Sequence, residues 1–208
     1  MNLTNYYWYF QSAIPHRICD EIVRYGKQLQ DGLATTGGYG DPKKLNQEQI
    51  KDLKKKRDSN IVWMNDRWIY KEIQPYINQA NRAAGWNFQW DWSESCQFTK
   101  YNKRQYYDWH CDGWDKPYNA PTTPTHGKIR KLSVTVTLSD PEEYKGGELE
   151  FDFRNLDPDK KPNVHKCKEI LPKGSLVVFP GFVWHRVCPV KKGSRHSLVI
   201  WNLGWPYK

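Results

Sequence analysis

Three side chains in this sequence have the types and spacing of a metal site. His110 and Asp112 lie two residues apart in the aromatic stretch "YYDWHCDGW", and His185 follows a predicted strand and a Pro-Gly turn in "FPGFVWHRVCPV". Residues i and i+2 of an extended segment point the same way, so His110 and Asp112 can converge on one ion. Two imidazoles and one carboxylate are a ligand set that holds Fe(II) and leaves positions open for a bidentate co-substrate and O₂.

The His-x-Asp pair alone is a weak signal, because such a pair is more often hydrogen-bonded within a structure than bound to a metal. The distant His185 strengthens the metal interpretation. The remaining histidines lie at a helix start, in loops and on the last predicted strand, and we interpret them as structural: His16, His126, His165 and His196.

A second pair, Arg195 and Ser197, lies on the last predicted strand and faces one side of it. A guanidinium beside a hydroxyl suits a carboxylate, since the arginine fork binds a carboxylate through two hydrogen bonds. The structural alternative is an edge-strand arginine paired with a surface acid. The metal ligands favour the carboxylate receptor, because two neutral imidazoles and one carboxylate leave an Fe(II) site with a net positive charge, which suits an anionic co-substrate.

The elements that must position these residues divide the chain into two parts. After an opening strand, the first half predicts helices in "PHRICDEIVRYGKQLQ" and in "RWIYKEIQPYINQANRAAG", the second capped by Asp66 and kinked by Pro75. The charged "LNQEQIKDLKKKRDS" predicts a short exposed helix or a mobile insertion. From Trp86 onward, short β-rich runs separated by turn residues predict a sandwich or jelly roll.

Length and composition agree with one globular domain over residues 1–208, with a helical support region over 1–90 and a β core over 91–208. No apolar run is long enough to span a membrane, and no secretory signal is recognisable, so we expect no membrane association. Five scattered cysteines without a CxxC pair favour a reducing, cytoplasmic location. The net charge of +9 raises the odds of an acidic partner, although much of it lies in runs typical of solvated loops.

The C-terminal half resembles the Fe(II)- and 2-oxoglutarate-dependent oxygenases. It is most similar to their prolyl 4-hydroxylase-like branch and the bacterial PKHD-type hydroxylases. The resemblance runs from about Ser95 to Trp205 and rests on "YNKRQYYDWHCDGW", "KLSVTVTLSDPEEYKGGELEF" and "GSLVVFPGFVWHRVCPVKKGSRHSLVIWNLGW". It implies a double-stranded β-helix core of the jelly-roll, cupin-like kind, so the expected fold is mainly β with packed helices.

Carried over by position, the resemblance implies that His110, Asp112 and His185 hold Fe(II). It implies that Arg195 binds the distal carboxylate of 2-oxoglutarate with help from Ser197 and Tyr101, and that Trp201 is an aromatic near this co-substrate. The expected reaction consumes O₂ and 2-oxoglutarate, releases succinate and CO₂, and hydroxylates a C–H bond, with ascorbate in support. The carboxylate of Asp112 favours hydroxylation over halogenation.

The resemblance suggests a peptide or protein substrate, most simply a prolyl residue. An extended peptide could lie between the loops 113–128 and 31–42, and the aromatic residues Tyr107, Trp109, Trp114 and Trp184 are candidate pocket walls. Two alternatives keep the chemistry, a nucleic-acid-directed oxygenase served by the basic charge and an oxygenase of a free amino acid. A third alternative is a non-catalytic binding module of the same fold, which the intact ligand set and Arg195 disfavour.

Overall fold

The computed structural model of the protein describes residues 3–29, 31–35, 41–113, 116–154, 157 and 159–207. These residues form three α-helices, which are α1 (His16–Gln28), α2 (Gln47–Lys56) and α3 (Arg67–Ala83). The strands in chain order are β1 (Trp8–Phe10), β2 (Gly32–Leu33), β3 (Arg57–Asp58), β4 (Asn60–Met64), β5 (Trp92–Ser93), β6 (Cys96–Tyr101), β7 (Tyr106–His110), β8 (Ile129–Thr137), β9 (Tyr144–Gly146), β10 (Leu149–Asp152), β11 (Val164–Lys166), β12 (Leu176–Pro180), β13 (Trp184–Val187), β14 (Val190–Gly193) and β15 (Arg195–Gly204).

The strands of the described residues pair antiparallel in three sheets. The large sheet has the order β1-β12-β8-β15-β6-β4-β2, with β5 added beside β15. The small sheet has the order β11-β10-β13-β7-β3, and β14 pairs with β9 in a two-stranded ribbon. The first 90 residues therefore supply strands to both main sheets as well as the helices.

Helices α1 and α3 cover the outer face of the large sheet. Ile69, Ile73 and Ile77 recur every four residues on one side of α3 and are fully buried. Each contributes about 1.5–3 kcal/mol by leaving water. Pro75 lies within α3 without ending it, and Asp66 occupies the N-cap position without a side-chain hydrogen bond to the helix. The predicted helices are confirmed, but the capping bond expected from Asp66 is absent.

The alternation of β8 explains how the large sheet separates two cores. Val134 and Val136 belong to the core under the helices. Ser133, Thr135 and Thr137 point to the opposite face, yet they are buried as well. The polar face of this strand therefore borders the interior between the sheets and not solvent, which gives that interior hydroxyl groups.

A second apolar cluster lies between the two main sheets. Phe151 and Val187 of the small sheet meet Val177 and Phe179 of the large sheet there. Residues of β12 thus alternate between the two cores, since Leu176 and Val178 belong to the cluster under the helices. Two antiparallel sheets packed face to face, with helices on one outer face, confirm the predicted mainly β fold.

The charged segment after residue 44 forms a helix and is not an irregular insertion. Asn46 and Gln49 make reciprocal side-chain-to-backbone hydrogen bonds of a capping box at the start of α2. Leu53 is fully buried, and α2 runs directly into β3. The helix thereby places Arg57 at the edge of the small sheet, where β3 pairs with β7.

Among the described residues, no helix combines the length and apolarity required to cross a bilayer. All five cysteines carry free thiols, and four of them are buried.

Candidate metal and 2-oxoglutarate site

The three predicted metal ligands come together in the small sheet. His110 ends β7, and its Cα is paired with that of His185 on the neighbouring β13. Asp112 follows two residues after His110, beyond the end of the strand. One ligand atom from each side chain lies within 4.8 Å of the others. The arrangement can hold a metal ion.

Asp112 is fixed by the turn between β12 and β13, not by a continued strand. The backbone N–H groups of Asp112 and Gly113 donate to the carbonyl oxygen of Gly181 at 2.8 and 2.7 Å. A side chain at position 113 would come within 2.6 Å of the carbonyl oxygen of Arg130, so glycine allows this close approach. The turn that carries Asp112 is therefore hydrogen-bonded to the turn that precedes His185.

Backbone carbonyls orient both imidazoles. Nδ1 of His110 lies 2.7 Å from the carbonyl oxygen of Asp108, and Nδ1 of His185 lies 2.9 Å from that of Val183. A carbonyl oxygen only accepts, so each Nδ1 carries the proton and donates. The Nε2 atoms are left facing Asp112, at 3.8 Å for His110 and 3.5 Å for His185. Their lone pairs are the donors that a metal requires.

The electrostatics of the site also suit metal binding. Burial and the neighbouring His185 lower the pKa of His110 to about 3, so its imidazole is neutral at physiological pH. Burial alone would raise the pKa of the Asp112 carboxyl, but His185, His110 and Arg130 lower it to about 2. The neutral imidazole and the ionised carboxylate are the forms that coordinate metals.

Aromatic rings hold the two histidines in place. The ring of Tyr107 stacks on His110 with centroids 3.5 Å apart, and Phe179 meets His185 edge-on at 4.7 Å. Tyr107 lines the cavity as predicted. Trp109 and Trp184 alternate to the other face of their strands and are not among the described lining residues, while Trp114 lies outside the described residues.

Arg195 and Ser197 face the same cavity as the three ligands and are almost completely buried. Nη1 of Arg195 donates to Oγ of Ser197 at 3.2 Å. In the described part of the chain, the Arg195 guanidinium pairs with no carboxylate, although it is only 2% exposed. An unpaired buried cation is costly, so this position favours an incoming anion over the surface ion pair that was the structural alternative.

Tyr101 and Trp201 complete the predicted set on the inner face of the large sheet. Tyr101 is the cross-strand partner of Arg195, and the guanidinium lies 5.6 Å from the centre of its ring. Trp201 is buried, and Arg130 covers its ring at 3.9 Å. The indole N–H of Trp201 helps to lower the pKa of the Asp112 carboxyl by donating toward it.

Sequence reasoning missed a second buried cation in the cavity. Arg57 was included in the solvated "KDLKKKR" run, but it is 4% exposed and lines the site. Its Nε donates to Ser59 Oγ at 2.9 Å and its Nη2 to Gln97 Oε1 at 2.7 Å, and its guanidinium lies over the Tyr107 ring. The available signal was the predicted strand "NIVWM", which begins three residues later and indicates extended backbone close to Arg57.

Gly147 leaves room for Arg195. Its φ of +67° is a left-handed conformation, and a Cβ there would lie 3.0 Å from Cδ of Arg195. We therefore expect Gly147→Ala to displace the guanidinium and to raise the KM for 2-oxoglutarate by roughly tenfold, while costing about 1–2 kcal/mol of stability. Steady-state kinetics with varied 2-oxoglutarate would test this expectation. Gly32→Ala, in open space on β2, is the control, and an unchanged KM in Gly147→Ala would contradict the close-approach argument.

Comparison with known proteins agrees with this geometry. Residues 96–202 match the family model described as 2OG-Fe(II) oxygenase superfamily. A PKHD-type hydroxylase of Xylella fastidiosa strain M12 is 34% identical over 108 residues, which are 50% of this chain and 42% of that protein. The chain thus spans less than half the length of the first curated relatives that it matches.

Two solved structures share the fold over nearly the whole chain. The viral collagen prolyl hydroxylase of Paramecium bursaria Chlorella virus-1, in complex with 2OG, matches with a TM-score of 0.61 and 22% identity, covering 97% of both chains. The Trichoplax adhaerens prolyl hydroxylase, in complex with a hypoxia-inducible factor peptide fragment, matches with a TM-score of 0.66 and 15% identity, covering 96% of this chain and 84% of that one. These similarities confirm the expected double-stranded β-helix.

Proposed function

Because this chain belongs to the 2OG-Fe(II) oxygenase superfamily, we propose that it is an Fe(II)- and 2-oxoglutarate-dependent hydroxylase of a peptidyl residue, proline in the first place. The observation that carries the proposal is the combination of a His-Asp-His ligand set with a buried, unpaired arginine in the same cavity. A metal site alone would suit many reactions. The arginine adds a receptor for an anionic co-substrate. In this superfamily the co-substrate is 2-oxoglutarate.

We propose that His110, Asp112 and His185 hold the Fe(II) ion. The fit rests on the donor set, since two neutral imidazole nitrogens and one carboxylate suit Fe(II) and leave coordination positions open. When bound, the iron would activate O₂ with 2-oxoglutarate as the co-substrate. The products would be succinate, CO₂ and a hydroxylated C–H bond. The protein's part is to direct both Nε2 atoms toward the ion, to keep Asp112 ionised and to exclude water from the cavity around them.

For 2-oxoglutarate, we propose that the Arg195 fork takes the distal carboxylate and that Ser197 and Tyr101 donate their hydroxyls to it. Burial makes these hydrogen bonds strong. The carboxylate exchanges its hydrating water molecules for hydrogen-bond donors that the protein already holds in position. Trp201 lines the same cavity. Thr135 lines the same cavity from β8, so the buried hydroxyls of that strand give the polar co-substrate a compatible surface.

For the substrate, the peptide preference is supported by the two solved structures that share this fold, since both are prolyl hydroxylases and one of them is in complex with a peptide fragment. Arg57 and Tyr107 line the same cavity and are the candidate contacts for the reacting residue. We retain a nucleic-acid substrate as the second candidate, because the net charge is +9. We also propose a single domain over 1–208 and a cytoplasmic location.

The decisive experiment measures succinate released from 2-oxoglutarate with Fe(II), ascorbate and O₂, in the presence and absence of proline-containing peptides. We expect peptide to stimulate succinate release and to gain one oxygen atom, detected by mass spectrometry. The same peptide with each proline replaced by alanine is the control. Slow succinate release that no peptide stimulates would contradict the peptide proposal, and no release from iron-loaded protein would favour the non-catalytic binding module.

A further inference from the structure

Strand β7 contains a β-bulge directly before the first metal ligand. Its Tyr107 pairs with Val187 of β13, and its His110 pairs with His185. Three steps along β7 thus match two steps along β13, so β7 has one extra residue between these two pairs. Bulges of this kind are frequent beside active sites, where they change the direction of a side chain.

The bulge explains how Tyr107 and His110 can both face the metal cavity. In a regular strand, residues three positions apart point to opposite faces of the sheet. In β7 both rings line the cavity, and they stack with their centroids 3.5 Å apart. The bulge also contains the carbonyl oxygen of Asp108, which accepts the Nδ1 proton of His110 at 2.7 Å. The direction of the His110 Nε2 atom therefore depends on the bulge.

Arg186 on β13 is the residue opposite the bulge. The preceding residue, His185, faces the cavity, so the side chain of Arg186 lies on the outer face of the small sheet. There its guanidinium covers the ring of Trp109 at 4.7 Å. Trp109 directly precedes His110, and the peptide bond that joins it to Asp108 contains the carbonyl that orients the imidazole. Arg186 thus contacts the residue whose backbone directs this ligand.

Glu150 holds the guanidinium of Arg186 from the next strand. It is the cross-strand partner of Arg186 on β10. Its Oε2 accepts a hydrogen bond from Nε of Arg186 at 2.8 Å and lies 2.7 Å from Nη2. Exposed ion pairs contribute little, but Glu150 is only 8% exposed, and the same guanidinium also covers an indole. Glu150, Arg186 and Trp109 therefore connect β10, β13 and the bulge of β7.

We propose that Arg186 is a positioning residue for the metal site. Held by Glu150, it fixes Trp109 and the bulge, and through them the direction of the His110 imidazole. The inference rests on the proposed metal ligands and adds a residue on the far side of the sheet from them. Arg186 is not among the described residues that line the cavity, so its effect on the metal must pass through the strands.

The test is titration of the metal-free protein with Co(II), which stands in for Fe(II) and whose visible absorption depends on the geometry of its ligands. We expect Arg186→Ala to raise the Kd for Co(II) by roughly tenfold and to change the absorption bands, because groups that orient a metal ligand contribute about this much to affinity. Arg186→Lys keeps a cation beside the indole and should recover part of the affinity. The KM for 2-oxoglutarate at saturating iron should change by less than about twofold.

Arg154→Ala is the matched control, because Arg154 makes a similar ion pair on the small sheet. Its Nε donates to Asp152 at 2.7 Å, and its side chain is 35% exposed, compared with 36% for Arg186. Asp152 ends β10, which does not pair with β7. The control should bind Co(II) like the wild type. If Arg154→Ala lost as much affinity as Arg186→Ala, the effect would be a general loosening of the sheet, and the positioning role would be wrong.

A double variant tests whether Trp109 transmits the effect. Trp109→Ala alone should raise the Kd for Co(II) by roughly tenfold, and adding Arg186→Ala should raise it no further, because both substitutions release the same bulge. Effects that multiply would contradict the proposed route. Unchanged Co(II) affinity and absorption in Arg186→Ala, with its fold verified by circular dichroism, would overturn the inference and leave the ligand assignment intact. A wild type that binds no Co(II) would refute both.

Discussion

Replacing His110 by alanine is expected to abolish Fe(II) binding and to lower turnover by more than about 100-fold. His110 provides one of the three donors, and the Asp108 carbonyl directs its Nε2 toward Asp112. Since the pKa of His110 is lowered to about 3, protons do not compete for this nitrogen at neutral pH, so the wild type should bind metal without a titration near pH 6–7 at this ligand. Alanine leaves two donors, which hold Fe(II) weakly.

The measurement is metal content by mass spectrometry after dialysis, together with succinate release. His16→Ala is the matched control, because His16 begins α1 and is exposed far from the cavity. It should retain iron and activity. The folded state of His110→Ala can be verified by its thermal unfolding. A variant that is folded, lacks the imidazole and still turns over at the wild-type rate would refute the ligand assignment of His110.

The second large effect is expected from Arg195→Ala. A guanidinium that binds a carboxylate through two charge-assisted hydrogen bonds contributes about 1.5–3 kcal/mol for each of them. The KM for 2-oxoglutarate should therefore rise by at least roughly 100-fold. Iron affinity should not change, because Arg195 contacts Ser197 and Tyr101 and none of the three ligands.

The lysine variant sharpens this expectation. Arg195→Lys keeps the positive charge but loses the planar fork, so its KM should fall between those of the wild type and Arg195→Ala. Arg24→Ala, an exposed position on α1, is the control for removing an arginine. If Arg195→Ala bound iron normally and also kept the wild-type KM for 2-oxoglutarate, the carboxylate would have to bind elsewhere, and Arg57 would be the next residue to test.

The geometry of the metal ligands was predictable from the sequence because most of it is local. His110 and Asp112 are separated by one residue, and His185 follows its strand after a short turn, so a pattern of residue types locates them. The same holds for Arg195 and Ser197, whose common face follows from strand alternation. The sequence did not reveal that β7 ends at His110 and that a hydrogen bond to Gly181 fixes Asp112, because that contact joins residues far apart in the chain.

Arg57 shows that a charged run in the sequence does not predict which of its side chains are exposed. In the sequence it ends a lysine-rich run, and its neighbours Lys54, Lys55 and Lys56 are indeed exposed. Its burial depends on the pairing of β3 with β7, about fifty residues away, and on the hydrogen bond to Gln97. Local propensity contains no information on either contact. Alternation along β8 likewise defines two faces, but it does not show that both of them are buried.

Cys111 stands between two of the proposed ligands in the chain, yet its thiol takes no part in their cavity. The side chain is buried, and burial together with the charge of Asp112 raises its pKa to about 11, so it stays a thiol. A thiolate at this point would add a soft donor, which attracts zinc and copper(I) in preference to iron. Zinc already binds nitrogen and oxygen donors more tightly than Fe(II) does, and a sulfur ligand would widen its advantage. The direction in which one thiol points thus bears on mismetallation when several metals compete for the site in a cell.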